Sequence, residues 1–217
     1  MAKENKDKRL LKNEPRLSIT LHPEQKEIST LLYEYDVVFV EGIWGTGKTL
    51  GAVAAAIKAF RKKEFNEIVL SRPFIPDKAL GALPGTLEEK LMLETQPMLD
   101  NMNACQSKVT TDKMLKEGDI KVQYNGKIKG RTICSAVMVI DEGEDLTYRE
   151  FVEILTRLGK DSKMIFTISK EQIHKSINKD SCYYTIQKLR DSGLVGWIEL
   201  TENHRNEDIN KIIDYLK

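Results

Sequence analysis

The sequence contains few of the features that define secreted, membrane or zinc-binding proteins. It has 3 cysteines in 217 residues, widely spaced and without a Cys-x-x-Cys pair, which argues against a disulfide framework or a cysteine zinc site. The histidines His22, His174 and His204 lie far apart, so no histidine metal site is predicted. No apolar run approaches the roughly 18 residues of a membrane-spanning helix. The charged stretch Met1–Arg16 lacks the apolar core of a secretory signal. We therefore expect a cytoplasmic protein with reduced thiols.

An excess of charge of either sign is also absent. The chain has 34 Lys and Arg against 33 Asp and Glu, which gives a formal net charge of +1. Because no global basic field would attract nucleic acid, binding of RNA or DNA would depend on a local patch. The length allows one good core or at most two small ones. We expect a charged tail over residues 1–17 and a single domain over residues 18–217.

Residues 42–49 match the phosphate-binding pattern Gly-x-x-x-x-Gly-Lys-Thr, known as the P-loop. An apolar β-branched run precedes the motif and an alanine-rich, helix-forming run follows it, which is the context that the motif requires. Lys48 would reach the β- and γ-phosphates, and the Thr49 hydroxyl would bind Mg²⁺. ATP and Mg²⁺ are therefore the predicted cofactors. The predicted phosphate-binding residues are Gly42, Trp44, Gly45, Thr46, Gly47, Lys48 and Thr49.

Apolar strand-like runs alternate with helix-like runs along the rest of the chain. This order predicts a three-layer α/β domain with a mostly parallel sheet and helices on both faces. In such sheets ligands bind beyond the carboxyl ends of the strands. The polar residues that follow predicted strands, and so are expected at that edge, are Arg72, Asp141, Glu142, Gln172 and Arg205.

Each of these residues has a predicted role in nucleotide chemistry. Asp141 would hold Mg²⁺ through water, and the adjacent Glu142 would activate the attacking water. Gln172 would contact the γ-phosphate and that water, although a glutamine in an ordinary turn fits the same pattern. Arg205 suits an arginine finger that stabilises charge on the transferred phosphoryl group, or a surface ion pair. Arg72 is predicted to bind the nucleotide.

Gln25 lies in the first turn of a helix predicted to begin near Pro23. Its amide could form two hydrogen bonds with the edge of adenine, but a surface glutamine fits the sequence equally well.

The segment Ile120–Arg131 is predicted to form a small hairpin with a turn at Asn125-Gly126. It contains four basic residues and no acidic one, together with a tyrosine that could stack on a base. Basic grooves with aromatic side chains bind single strands without reading their sequence. A solvated hairpin without a ligand is the alternative. The residues concerned are Lys121, Tyr124, Lys127, Lys129 and Arg131.

Several of these motifs together resemble the PhoH-like ATPase family over roughly residues 20–216. The most specific are Arg72-Pro73 and the run Leu80-Gly-Ala-Leu-Pro-Gly85. The sequence differs from the family at Gly143-Glu144-Asp145, where Ala-Gln-Asn is usual, and at Ser169, where Asp is usual. The family in turn resembles the first RecA-like domain of superfamily-one helicases. There Gln25 corresponds to an adenine-reading glutamine, and Leu200-Thr-Glu-Asn-His-Arg205 to an arginine motif.

The resemblance implies a RecA-like P-loop fold and an Mg²⁺-dependent ATPase that is coupled to RNA or single-stranded DNA. It also implies a homo-oligomer, with a hexameric ring in which Arg205 or Arg72 reaches the neighbouring subunit's nucleotide. Two other classes fit the P-loop. One is a small-molecule phosphotransferase, and the other is a nucleotide-binding scaffold with little turnover.

Overall fold

The computed structural model describes residues 16–73, 87–124, 132–177 and 180–204, with 211, 212 and 215; of residues 87–91 and 124 it describes the backbone alone. The described helices are α1 (Pro23–Glu34), α2 (Lys48–Arg61), α3 (Leu87–Cys105), α4 (Lys108–Glu117), α5 (Tyr148–Leu155) and α6 (Tyr183–Ile186). The described strands are β1 (Val37–Gly42), β2 (Glu67–Arg72), β3 (Ile120–Tyr124), β4 (Ala136–Ile140), β5 (Lys163–Ile168) and β6 (Gly196–Leu200).

Within these ranges, the six strands form one sheet in the order β3-β2-β4-β5-β1-β6. Every neighbouring pair is parallel, and β1 lies between β5 and β6. The carboxyl ends of all six strands therefore meet at one edge of the sheet, as the alternating sequence pattern predicted.

Side chains of strands β1, β2, β4, β5 and β6 alternate between two separate apolar layers. On β1, Val38 and Val40 pack on the face covered by α1 and α2, whereas Phe39 faces the layer that contains α5. The Phe39 ring lies 5.2 Å from that of Phe166 and 5.0 Å from that of Trp197, measured between centroids. Both faces of the sheet are thus buried, which confirms the predicted three-layer α/β architecture.

Helix α2 packs closely against α1 because its buried face consists largely of alanine and glycine. A Cβ atom added at Gly51 would lie only 2.6 Å from the Ile28 Cδ1 atom. This close approach fixes the start of α2, and with it the P-loop, against the first turn of α1.

The first arm of the hairpin predicted over Ile120–Arg131 is a strand, β3, which pairs in parallel with β2 at one end of the described sheet. The chain between β2 and β3 contains α3 and α4, and so provides the long crossover that a parallel pair requires. The Asn125-Gly126 turn and the second arm lie outside the described residues.

No helix in the ranges that the structure covers is both long and apolar enough to cross a membrane.

Candidate functional site

The P-loop connects the end of β1 to the start of α2 at the carboxyl edge of the sheet. Gly45 and Gly47 adopt left-handed φ angles of 90° and 77°, which glycine adopts at little cost. A Cβ added at Gly47 would lie 2.3 Å from the Gln25 Nε2 atom, so a side chain there would displace the Gln25 amide. Glycines in this conformation can turn backbone N–H groups inward around an anion, and the loop ends at the α2 N-terminus, where a helix favours anions.

Lys48, the first residue of α2, reaches back across the loop. Its ammonium group donates hydrogen bonds to the carbonyl oxygens of Gly42 at 2.7 Å and Ile43 at 3.0 Å. It also donates to the Gln172 side-chain oxygen at 2.8 Å, so the structure brings these two predicted site residues together. Burial lowers the pKa of Lys48, although the negative charges of nearby carboxylates act in the opposite direction.

Asp141, at the end of β4, is the centre of a group of oxygen atoms. Its Oδ1 atom accepts hydrogen bonds from the hydroxyls of Thr49 at 2.7 Å and Thr167 at 2.6 Å. The residue is 4% exposed. A hydroxyl and a carboxylate in contact are hard oxygen ligands of the kind that Mg²⁺ prefers, so these residues fit the predicted ion. Thr167, on the neighbouring strand β5, was not among the predicted site residues.

Glu142 and Arg72 bind each other across the ends of β4 and β2. The Arg72 Nε atom donates to one Glu142 carboxylate oxygen at 2.9 Å, and an Arg72 Nη atom contacts the other. Burial alone would lower the pKa of Arg72, but the hydrogen bond and the negative charge of Glu142 raise it overall. Glu142 has a φ of 54°, a left-handed conformation that is uncommon for a residue with a side chain. In this arrangement Glu142, the predicted base, and Arg72, the predicted nucleotide-binding residue, bind each other through the groups that their predicted roles would require.

A cleft of about 310 Å³ lies in front of these groups, and its volume is within the range of small-molecule sites. Asn101 of α3 also lines the cleft, and this was not predicted from the sequence. The lining residues are Trp44, Gly45, Gly47, Lys48, Thr49, Leu50, Asn101, Asp141, Glu142, Thr167 and Gln172.

Gln25 lies behind the P-loop, where its amide already has two partners. Its oxygen accepts a hydrogen bond from the His22 backbone N–H at 3.1 Å, and its nitrogen donates to the Thr46 carbonyl at 3.3 Å. The residue is 2% exposed. In this conformation Gln25 connects the N-terminus of α1 to the P-loop.

The segment that follows β6 forms another wall of the P-loop. The Asn203 side-chain amide donates to the Trp44 carbonyl at 3.3 Å, and the His204 backbone N–H donates to the Gly45 carbonyl at 3.0 Å. Neither contact was predicted. Arg205, the predicted arginine finger, lies outside the described residues.

The predicted nucleic-acid residues are only partly described. Lys121 forms an ion pair with Glu67 on the adjacent strand, which offsets its charge. The backbone of Tyr124 pairs with Arg72 at the end of β3. Lys127, Lys129 and Arg131 lie outside the described residues.

A buried carboxyl lies beneath the site in the short turn Gly143–Asp145. Glu144 is 1% exposed, and no hydrogen-bond partner of either carboxylate oxygen is found among the described residues. Burial is the largest cause that raises the pKa of Glu144 to about 8; its own backbone N–H and the positive charge of Lys48 act in the opposite direction, and the Asp145 and Glu142 carboxylates add to the increase.

The fold of the P-loop NTPases is defined by a strand of a parallel sheet, a glycine-containing loop and a helix, which face an aspartate on a nearby strand. This chain has all of these features, and its helix begins with Lys48. Comparison with known proteins gives the particular family. The family model described as "PhoH-like protein" matches residues 19–217, and the chain belongs to this family.

Two bacterial relatives show the extent of the sequence similarity. The PhoH-like protein of Bacillus subtilis (strain 168) is 31% identical over 195 residues, which cover 88% of this chain and 61% of the relative. That of Mycobacterium leprae (strain TN) is 36% identical over 138 residues, covering 63% of this chain and 40% of the relative. The chain thus spans about two fifths to three fifths of the length of these relatives.

Solved structures that resemble this chain support the fold. The large terminase of a thermophilic bacteriophage matches with a TM-score of 0.54 and 13% identity, covering 91% of this chain and 50% of that chain. The UvsW helicase of bacteriophage T4 matches with a TM-score of 0.52 and 16% identity, covering 92% and 67%. These likenesses confirm the predicted RecA-like P-loop fold.

Proposed function

We propose that this chain is an Mg²⁺-dependent ATPase whose hydrolysis is coupled to RNA or single-stranded DNA. The observation that supports it best is the meeting of four predicted residues in one cleft. Lys48 contacts Gln172, and Thr49 contacts Asp141, although each pair is about a hundred residues apart in the chain.

The contacts of each residue suggest its part in binding and chemistry. Thr49 and Asp141 would hold Mg²⁺, which supplies neutralisation of the charge on the triphosphate when bound. Lys48 would exchange its two loop carbonyl partners for phosphate oxygens, while its bond to Gln172 positions that amide beside the γ-phosphate. Glu142 would accept a proton from the attacking water after Arg72 releases it. Arg72 would then be free to bind the nucleotide.

The proposals of coupling to nucleic acid and of assembly are based on residues near the edge of the sheet and on the resemblance to the PhoH-like family. One neighbour in fold is a helicase by name, which supports nucleic acid as a partner. The proposed contact residues are Lys121, Tyr124, Lys127, Lys129 and Arg131. For assembly, we propose a homo-oligomer, a hexameric ring, in which Arg205 completes the neighbouring subunit's site. The free cysteines fit a reducing compartment, and we place the protein in the cytoplasm.

The Arg72–Glu142 pair favours one alternative, a nucleotide-binding scaffold with little turnover. While both carboxylate oxygens of Glu142 are bound by Arg72, the side chain is not available as a base. If the pair persists when nucleotide binds, the protein would bind ATP and hydrolyse it slowly. A phosphotransferase is the other alternative from the sequence.

Phosphate release separates these functions. It would be measured with ATP and Mg²⁺ alone, then with RNA, with single-stranded DNA, and with a panel of nucleosides as phosphoryl acceptors. Stimulation by RNA or DNA supports the proposal, and a phosphorylated nucleoside supports the phosphotransferase. ATP binding without release under every condition supports the scaffold.

A second measurement tests the nucleic-acid residues. Replacing Lys127, Lys129 and Arg131 with alanine should weaken single-strand binding. The slope of the logarithm of the binding constant against the logarithm of the salt concentration should become less steep by roughly 0.7 for each lost phosphate contact. Alanine at the exposed lysines of α4, Lys108, Lys113 and Lys116, is a control with the same change in charge. Equal effects of both triple variants would mean that the proposed segment is not part of the nucleic-acid interface.

A further inference from the structure

Three potential metal ligands meet beside the P-loop, although His22 is far in the sequence from Glu202 and His204. His22 precedes α1, while Glu202 and His204 follow β6. One ligand atom from each residue lies within 4.8 Å of the other two. The spacing of the histidines in the sequence indicated no metal site, but His22 and His204 come together because the sheet places β6 next to β1 and α1 beside both.

The spacing suits a single ion. The His22 Nδ1 atom and a Glu202 carboxylate oxygen are 3.0 Å apart, and the rings of His22 and His204 face each other with centroids at 3.8 Å. Ligand atoms about 2.1 Å from one tetrahedral zinc ion lie about 3.4 Å from each other. Rotation of exposed side chains would bring the three atoms to that distance, since His22 and Glu202 are 45% and 55% exposed.

The backbone that carries the ligands is held from behind. The His22 N–H donates to the Gln25 side chain, and the His204 N–H donates to the Gly45 carbonyl at 3.0 Å. The Glu24 carboxylate accepts hydrogen bonds from the backbone N–H groups of Thr201 at 3.0 Å and Glu202 at 3.4 Å. These bonds fix both ligand-bearing segments relative to each other. They therefore reduce the conformational entropy that would be lost when an ion binds.

The geometry points to a site, formed by His22, Glu202 and His204, that binds a divalent transition-metal ion, namely Zn²⁺. Two imidazoles and one carboxylate are a ligand set that Zn²⁺ uses with a fourth position left to water. Mg²⁺ prefers oxygen ligands alone, so this site is distinct from Thr49 and Asp141. A bound ion would join α1 to the segment after β6, and would thereby stiffen the wall of the P-loop formed by Asn203 and His204.

Direct metal binding tests this inference without using enzyme activity. Full-length protein without a histidine tag would be treated with a chelator and titrated with Co²⁺, followed by its visible absorption, and with Zn²⁺ by calorimetry. Excess Mg²⁺ would be present to occupy the oxygen site. The variants are His22→Ala, Glu202→Gln and His204→Ala, and the matched control is His174→Ala, which removes the other histidine of the chain.

We expect one ion per chain, an absorption spectrum of low-coordinate cobalt, and affinity lowered at least about 10-fold in each of the three variants but not in the control. His204→Ala keeps the backbone N–H that binds Gly45, so the fold around the loop should survive. A similar loss in His174→Ala, or unchanged affinity in all variants, would show adventitious surface binding. A sulfur-to-cobalt band would assign the ion to the exposed Cys134, and would overturn the inference.

Discussion

Replacing Glu144 by glutamine should make the protein more stable at neutral and alkaline pH. The residue is 1% exposed and no partner of its carboxylate oxygens is found within the described residues, so its charged form is strongly disfavoured. Its pKa is about 8 in the folded protein, against 4.5 for an ordinary glutamate, with burial as the main cause. The amide of glutamine has nearly the same shape and never ionises. It is also the residue usual at this position in the PhoH-like pattern.

The direction of the effect follows from proton binding. Between pH 4.5 and about 8 the folded protein keeps the proton on Glu144, while the unfolded chain has lost it. Stability is therefore highest below this window and falls as the pH rises through it. Each pH unit within the window costs about 1.4 kcal/mol. By pH 7 the wild type should have lost about 3 kcal/mol from this group, and the glutamine variant none.

Urea unfolding of both proteins at several pH values between 5 and 8 measures the difference. The free energy of unfolding of Glu144→Gln, minus that of the wild type, should increase with pH across this range. Glu27→Gln, at an exposed position on α1, is the matched control and should show no such trend. Parallel pH profiles for wild type and Glu144→Gln would refute the reasoning, because they would mean that Glu144 is solvated or paired in the folded protein.

Three other experiments test separate parts of the account. Glu142→Gln should keep Mg²⁺–ATP binding but lower phosphate release at least about 100-fold, and undiminished release would exclude Glu142 as the base. Glu41→Ala should reduce the free energy of unfolding by about 3 kcal/mol in urea, since this buried carboxylate accepts hydrogen bonds from four side chains. Mixing Lys48→Ala subunits with Arg205→Ala subunits should restore part of the ATPase activity. If mixed oligomers form and remain inactive, Arg205 does not act between subunits.

The parts of the site that the sequence predicted are those that depend on local order. Each strand that ends in a polar residue carries its own signal, and a parallel sheet brings such ends together whatever the order of its strands. This is why Lys48, Thr49, Asp141 and Gln172 could be placed in one site from the sequence. The three-layer fold followed from the same alternation of strand and helix.

What the sequence did not predict depends on which elements become neighbours. Thr167 binds Asp141 only because β5 lies beside β4, and His204 reaches Gly45 only because β6 lies beside β1. The parallel pairing of β3 with β2 is likewise a contact that no local pattern in the sequence reveals. The ion pair of Glu142 and Arg72 likewise joins strands whose adjacency no local pattern reveals.

Calorimetric titration of the protein with ATP in the presence of Mg²⁺ tests the central claim most directly. The wild type should bind one ATP per chain, and Lys48→Ala should bind it far more weakly, because Lys48 is the loop's cation for the β- and γ-phosphates. Lys170→Ala, an exposed lysine two residues from Gln172, is the matched control and should bind like the wild type. Absence of binding by the wild type, or equal affinities of the wild type and Lys48→Ala, would contradict the assignment of this cleft as the nucleotide site.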